Sequence, residues 1–258
     1  MSGELMRSDA SEIGDDLLIL FARDERPTAR RVRQQCADAG YIDSIGPDLA
    51  ATDRPRDIAP PCGLSLGRAG FTFDLVGLAP GPAVAIPRID LSQSLQEVVL
   101  PARIEAASLR LGPHVAAGRN SVSILREWFV LAHGLADTFG GAAICWTPGG
   151  VAIEPDRLGR HFDAWQRRGE LPVGLFASFR RTLDGALQSH GLRYFTGQEF
   201  RIEPNLLRGD EDSLARLLFT HLFYAGEQDQ TGQLATPEGH AIRLEPSANR
   251  RFVRVWPG

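Results

Sequence analysis

One helical pattern constrains the rest of the chain more than any other feature. Between Asn120 or Ser121, either of which suits a cap, and the stop at Gly140-Gly141, the residues Ile124, Trp128, Leu131, Leu135 and Phe139 form one apolar stripe. A stripe carrying two large aromatics must lie on an extended apolar surface, and the flanking residues supply strands for it. Ala102 to Leu111 sets Ala102, Ile104 and Ala106, then Leu109 and Leu111, at alternate positions, with one break that fits a bulge. Ala142 to Trp146 and Val151 to Glu154 flank Thr147-Pro148-Gly149-Gly150 as a hairpin. Pro155 then opens a helix with Leu158, Phe162 and Trp165 inward and Arg167-Arg168-Gly169 at its end, and Val173 to Phe179 reads as a strand. Over residues 102 to 179 the order is β-α-β-β-α-β, that of a ferredoxin-like split βαβ unit.

The segments on either side share a β-α-β-β order without a repeated sequence. On the N-terminal side Asp16 to Ala22 is an apolar run of strand length. Pro27 suits the first position of a helix that turns Ala29, Val32, Cys36 and Ala39 inward and ends at Gly40. Tyr41 to Cys62 carries Pro47, Pro55, Pro60 and Pro61 and reads as a long irregular connection. Gly70 to Leu75 then alternates, and a turn at Pro80-Gly81-Pro82 returns the chain as a strand over Ala83 to Pro87. On the C-terminal side Leu192 to Ile202 is extended but interrupted at Thr196-Gly197. A helix capped by Asp210 follows, with the stripe Leu214, Leu217, Leu218, His221, Leu222 and Ala225 and a stop at Gly226. Strands over His240 to Leu244 and Arg251 to Trp256 finish the chain.

The expected class is therefore α+β: antiparallel-rich sheets covered by helices, with a central ferredoxin-like βαββαβ unit flanked by two βαββ segments. Residues 1–15, polar and acidic, are expected to be a flexible N-terminus. Residues 16–258 are expected to form a single extended domain, or two intimate subdomains made of 16–97 with 191–258 and of 98–190.

For function the composition excludes more than it assigns. All 28 basic residues of the 258 are arginine, so Schiff-base chemistry, a P-loop lysine and a kinase-type strand lysine are not available. Against 32 acidic residues the formal charge is −4, which offers no general attraction to phosphate backbones or anionic lipid, so neither a nucleic-acid nor a membrane partner is expected. The apolar run from Leu17 to Ala22 ends at Arg23-Asp24-Glu25-Arg26, too short for a signal peptide or a membrane span. Cys36, Cys62 and Cys145 are odd in number and widely spaced, which suggests neither disulfides nor a cysteine metal site and favours a reducing cytoplasm.

Gly63-Leu64-Ser65-Leu66-Gly67 satisfies G-x-S-x-G, but Pro60-Pro61 before it and an alternating strand soon after it contradict the strand-turn-helix of a nucleophile elbow. None of the six histidines makes a zinc-binding spacing, and His161 and Asp163, two apart on a helix, face different ways. His221 reads as a core histidine. The acidic run Asp210-Glu211-Asp212 is explained by a helix N-terminus, and Glu227-x-Asp229 lacks the rest of a calcium loop. The arginine groups at 30–33, 167–168, 180–181 and 250–251 have the chemistry to grip phosphate or carboxylate, though each lies where a solvated face ordinarily holds arginine. No phosphate-cradling loop is present, and neither a cofactor nor a metal is expected.

Val130 to Trp146, with its helix running into Gly-Gly-Ala-Ala-Ile-Cys-Trp, the stretch Gly191 to Ile202 and the finishing Thr231 to Trp256 are similar to a bacterial family of uncharacterised domains, the DUF 4261 group. The similarity would span Leu17 to Trp256. It implies the α+β fold and brings no catalytic residue with it; its one acidic motif residue here is Glu199. Two readings of Glu199 follow. It caps a turn at Gly197 or pairs with an arginine, or it forms a polar ligand pocket with Arg193 and Arg201. The leading expectation is a non-enzymatic accessory or protein-binding module whose partner is another protein. The alternatives are a hydrolase whose site is assembled from distant residues and an anion-binding protein using clustered arginines.

Overall fold

In the computed structural model the described residues are 16–37, 39–48, 63–87, 98, 100–207 and 209–258. In chain order they form β1 (Leu17–Ala22), α1 (Ala29–Cys36), β2 (Ser44–Asp48), β3 (Gly63–Arg68), β4 (Phe71–Val76), β5 (Ile104–Leu111) and α2 (Val122–Phe139). There follow β6 (Ala143–Trp146), β7 (Val151–Ile153), α3 (Pro155–Arg168), α4 (Val173–Phe176), β8 (Ser178–Arg181), β9 (Leu187–His190), α5 (Arg193–Thr196) and β10 (Glu199–Ile202). The last elements are α6 (Glu211–Ala225), β11 (Gly232–Ala235), β12 (Ala241–Pro246) and β13 (Phe252–Pro257). The class is α+β.

Two sheets carry the fold. The first has seven strands in the order β2-β3-β4-β5-β1-β6-β7, every adjacent pair antiparallel. The second has six in the order β11-β12-β13-β10-β9-β8, antiparallel except where β10 and β13 run parallel. The ferredoxin-like unit expected over residues 102 to 179 does not close. β1 lies between β5 and β6, pairing with both, and β8 joins the other sheet. The physical reason lies partly in β1 itself: Leu17 to Phe21 are all buried, with Leu17, Ile19 and Phe21 in one apolar cluster and Leu18 and Leu20 in another, and a strand covered on both faces belongs inside a sheet and not at its edge.

The helix stripes behave as their spacing dictates. The α2 stripe is buried from Ile124 to Phe139, and Gly140 ends the helix at a φ of 70°. α3 turns Leu158, Phe162 and Trp165 inward and ends at Gly169. α1 begins two residues later than Pro27 implied, at Ala29, because Thr28 accepts the Arg31 N–H as its cap, and Val32 and Cys36 are buried as expected. Residues from both sheets join one apolar core, from Leu17, Phe73 and Trp146 to Phe200, Leu244 and Val255. At the junction the Phe176 ring lies 5.4 to 6.1 Å from those of Phe129, Phe195, Trp165 and Trp146. A smaller cluster on the other face of the first sheet gathers Leu18, Leu20, Ala106, Ala143, Cys145 and Ala152.

Four local expectations are corrected. Val173 to Phe179 is one helical turn, α4, and only then the strand β8; a short run apolar throughout does not distinguish a buried strand from a buried helical turn. Tyr41 to Cys62 is not irregular throughout, since it includes β2; residues 49–62 lie outside the described residues. The partner of β4 is β3, joined by the tight turn Ala69-Gly70 with both residues at positive φ, and not a strand over Ala83 to Pro87. Leu192 to Ile202 contains the short helix α5, closed by Gly197 in the left-handed region, before β10.

The segment 77–87 is tied to the sheet by polar contacts instead. Ala79 N–H donates to Pro27 C=O and Val84 N–H to Ala106 C=O. Arg26, its side chain 9% exposed, donates to the carbonyls of Gly77 and Gly81 and pairs with Glu105 at 2.7 Å. That guanidinium holds the Glu105 carboxyl below its usual range. Arg26→Ala removes three bonds from a buried charge and leaves their acceptors unmatched, so a loss of about 2–4 kcal/mol is expected in urea unfolding. Amide exchange in 77–87 should quicken most.

Candidate functional site

The carboxylate of Glu199 is buried, the residue being 8% exposed, and four donors surround it. The Ser189 hydroxyl donates at 2.5 Å, and the N–H groups of Gly191, Leu192 and Arg193 donate at 2.8 to 3.2 Å. The side chain thus fastens the tight connection from β9 into α5. Arg193 contributes its backbone to that arrangement, while its side chain is exposed. Arg201 pairs with Asp184 and, at 3.3 Å, with Glu203, which also takes Arg254 at 2.8 Å. The Thr182 hydroxyl and Arg201 hold Asp184 down at about 2. Glu199 and Arg201 are therefore engaged in two separate networks.

The other sequence motifs disperse across the fold. Gly63 to Gly67 lies within β3, in a ladder with β4, so Ser65 occupies a strand and no elbow forms. Its hydroxyl hydrogen-bonds Asp74 on the neighbouring strand, whose carboxyl burial pushes up against the opposing effects of Ser65 and Arg110. Arg110 in turn donates to Asp16 at 2.9 Å, beside a 3.0 Å bond from Ser108 to the same carboxylate. No histidine takes part in these contacts. Burial holds His190 and His161 below the usual imidazole range, with Arg216, Arg160 and Arg157 adding to the effect on His161. His221 is half-buried, not a core residue. Among the arginine groups, Arg33 pairs with Asp48, Arg167 with Asp163 and Arg181 with Glu211, each on a different element. No cluster of three His, Cys, Asp or Glu able to hold a metal ion occurs among the described residues.

The feature that sequence reasoning missed lies beside α6. The buried face of that helix is Ala215, Leu218, Phe219 and Leu222; Leu214 and Leu217 are half-exposed and Ala225 exposed. The expected stripe was wider than one helix face, and that excess was the available signal. Between the first turns of α6 and the hairpin turn joining β11 to β12 lies a groove of about 830 Å³, a size suited to a small ligand or a few residues of extended chain. Leu206, Leu214, Leu217, Ile242 and Pro257 give it apolar walls, and Asp210, Glu211 and Glu238 stand along it.

Its electrostatics follow from local bonding. Asp210 caps α6, accepting the Ser213 hydroxyl at 2.5 Å and N–H at 3.1 Å, which holds its carboxyl below the usual range. Glu211 pairs with Arg181. Glu238, in the hairpin turn, is also held below the usual range, first by the Thr236 hydroxyl; His240 adds to this and the Asp210 charge opposes it. Asp210 and Glu238 thus act on each other from two different elements, and neither forms an arginine ion pair among the described residues. Among the same residues no helix is long and apolar enough to cross a membrane. No family model, curated protein or solved structure matches the chain.

Proposed function

We propose that the protein is a binding module that engages a partner protein through the groove between α6 and the β11–β12 hairpin, within the α+β family suggested by its sequence pattern. The observation that carries this reading is the pair Leu214 and Leu217, left half-exposed beside Ile242 in a groove of about 830 Å³ while Leu218 and Leu222 of the same stripe are buried. Apolar walls with a charged margin are the usual anatomy of a surface that takes up a segment of another chain. A catalytic reading would draw on Ser65 and Asp74, yet their contacts extend to Arg110 and not to a histidine.

The test places a photo-crosslinking residue at Leu217 in the full-length protein and repeats capture from native cells with the cross-linker moved to exposed Arg160. A specific product from position 217, whose purified partner then binds wild type at least ~10-fold more tightly than Leu217→Asp, is expected. Equal capture at both positions, or equal affinity for both proteins, rejects the reading. Because Leu217 is half-exposed, Leu217→Asp should lower unfolding stability by no more than about 1 kcal/mol.

A further inference from the structure

The groove specifies more about its occupant than that it is protein. Its charged margin is one-signed: Asp210 comes from the α6 cap, Glu211 from the first turn and Glu238 from the hairpin turn. Glu211 already has Arg181. Among the described residues Asp210 and Glu238 form no arginine ion pair; hydroxyl and amide donors hold both, with Arg216 adding to the effect on Asp210 and His240 to that on Glu238, and the Asp210 charge opposes that of Glu238. Two carboxylates that line one groove from different elements, without an arginine ion pair among the described residues, are relieved by a cation entering between them. Next to them Leu214 and Leu217, one turn apart on α6, offer neighbouring apolar contacts.

We infer that the groove accepts an extended segment of the partner in which an arginine or lysine, set between Asp210 and Glu238, lies next to aliphatic residues that cover Leu214 and Leu217. The inference rests on the binding-module reading and adds the chemistry of the partner to it. A guanidinium or ammonium would supply the missing charge. The alternating side chains of an extended chain recur about 6–7 Å apart on one face, close to the separation of side chains one helical turn apart, so aliphatic residues two apart in sequence match the two leucines.

The experiment pans displayed random linear peptides against the full-length protein, then measures the enriched peptides by fluorescence anisotropy against wild type, Leu217→Asp, Glu238→Gln and Asp210→Asn. Enriched sequences should carry arginine or lysine beside aliphatic residues. Their affinity should fall about 5- to 10-fold for Glu238→Gln, and weaken with added salt, as expected for one partly screened charge contact. Leu217→Asp should weaken binding by ~10-fold or more. Asp210→Asn keeps a capping side chain while removing the charge, so it separates charge from helix stability, which thermal unfolding monitors.

Peptides that depend on Leu217 but show no basic preference, or bind Glu238→Gln and Asp210→Asn as well as wild type, overturn the charge assignment and leave the groove reading standing. Failure to enrich any peptide sensitive to Leu217→Asp overturns both. Binding of free arginine alone, unaffected by Leu217→Asp, would identify an amine site and also reject the segment.

Discussion

Gly191→Ala is expected to be among the most damaging single-methyl additions in this protein, lowering stability by roughly 3–5 kcal/mol in urea unfolding. Two independent effects combine. Gly191 has a φ of 118°, a backbone conformation that L residues rarely adopt. A Cβ there would also lie 2.2 Å from the carbonyl oxygen of Phe176 and 2.9 Å from the Cα of Gly149. Both neighbours are backbone atoms and have no rotamer into which to retreat. Phe176 cannot shift freely either, because its ring is held among Phe129, Trp146, Trp165 and Phe195. The methyl therefore forces apart the turn after β6 and the turn after β9, the point where the two sheets meet.

Gly185→Ala is the control. Gly185 also has positive φ, at 84°, but the nearest atom to its added Cβ is a ring carbon of Pro204 at 3.9 Å. That variant should lose only the conformational term, about 1–2 kcal/mol. If Gly191→Ala unfolds within about 1 kcal/mol of Gly185→Ala, the close approach of the two sheets is wrong as described. Loss of intrinsic tryptophan emission at a lower urea concentration should report the same event, since Trp128, Trp146 and Trp165 all belong to the shared core.

That junction also marks what was legible in the sequence. The α2 and α3 stripes fixed two helices, their buried faces and their glycine stops, because a period of 3.6 sustained over several turns has no competing interpretation. β1 was legible as a doubly buried strand, but its place between β5 and β6 was not, since periodicity specifies which faces are covered and leaves strand order open. β11 and β2 are short and polar, and carry no apolar alternation to announce them. The groove was hidden for a related reason. Six apolar or histidine positions on α6 looked like one stripe, and only the second sheet decides that Leu218 and Leu222 are covered while Leu214 and Leu217 are left at the margin. Glu238 lies far from Asp210 in sequence, so no spacing rule joins them.

Glu199 shows how one residue that stood out in the sequence acquires its role from long-range structure. Its expected pocket would make Glu199→Gln weaken ligand binding and leave folding intact. The four donors around its carboxylate predict the opposite. A carboxylate accepts all of them with two oxygens, whereas the amide of glutamine has one acceptor oxygen and turns an NH₂ toward N–H groups that need an acceptor. Glu199→Gln should therefore cost about 2–4 kcal/mol in urea unfolding, and Glu199→Ala somewhat more, because Ala also leaves a void beside buried Ser189 and Leu192. Ser189→Ala removes one of the four donors and the acceptor of the Phe200 N–H, so it should cost about 1–2 kcal/mol. The decisive comparison pairs unfolding with affinity. At temperatures where Glu199→Gln remains folded, it should bind groove peptides within about 2-fold of wild type, since it lies outside the groove residues. A variant of wild-type stability that has lost binding would instead place Glu199 in a ligand site, and the assignment of its carboxylate to the β9–α5 connection would fall.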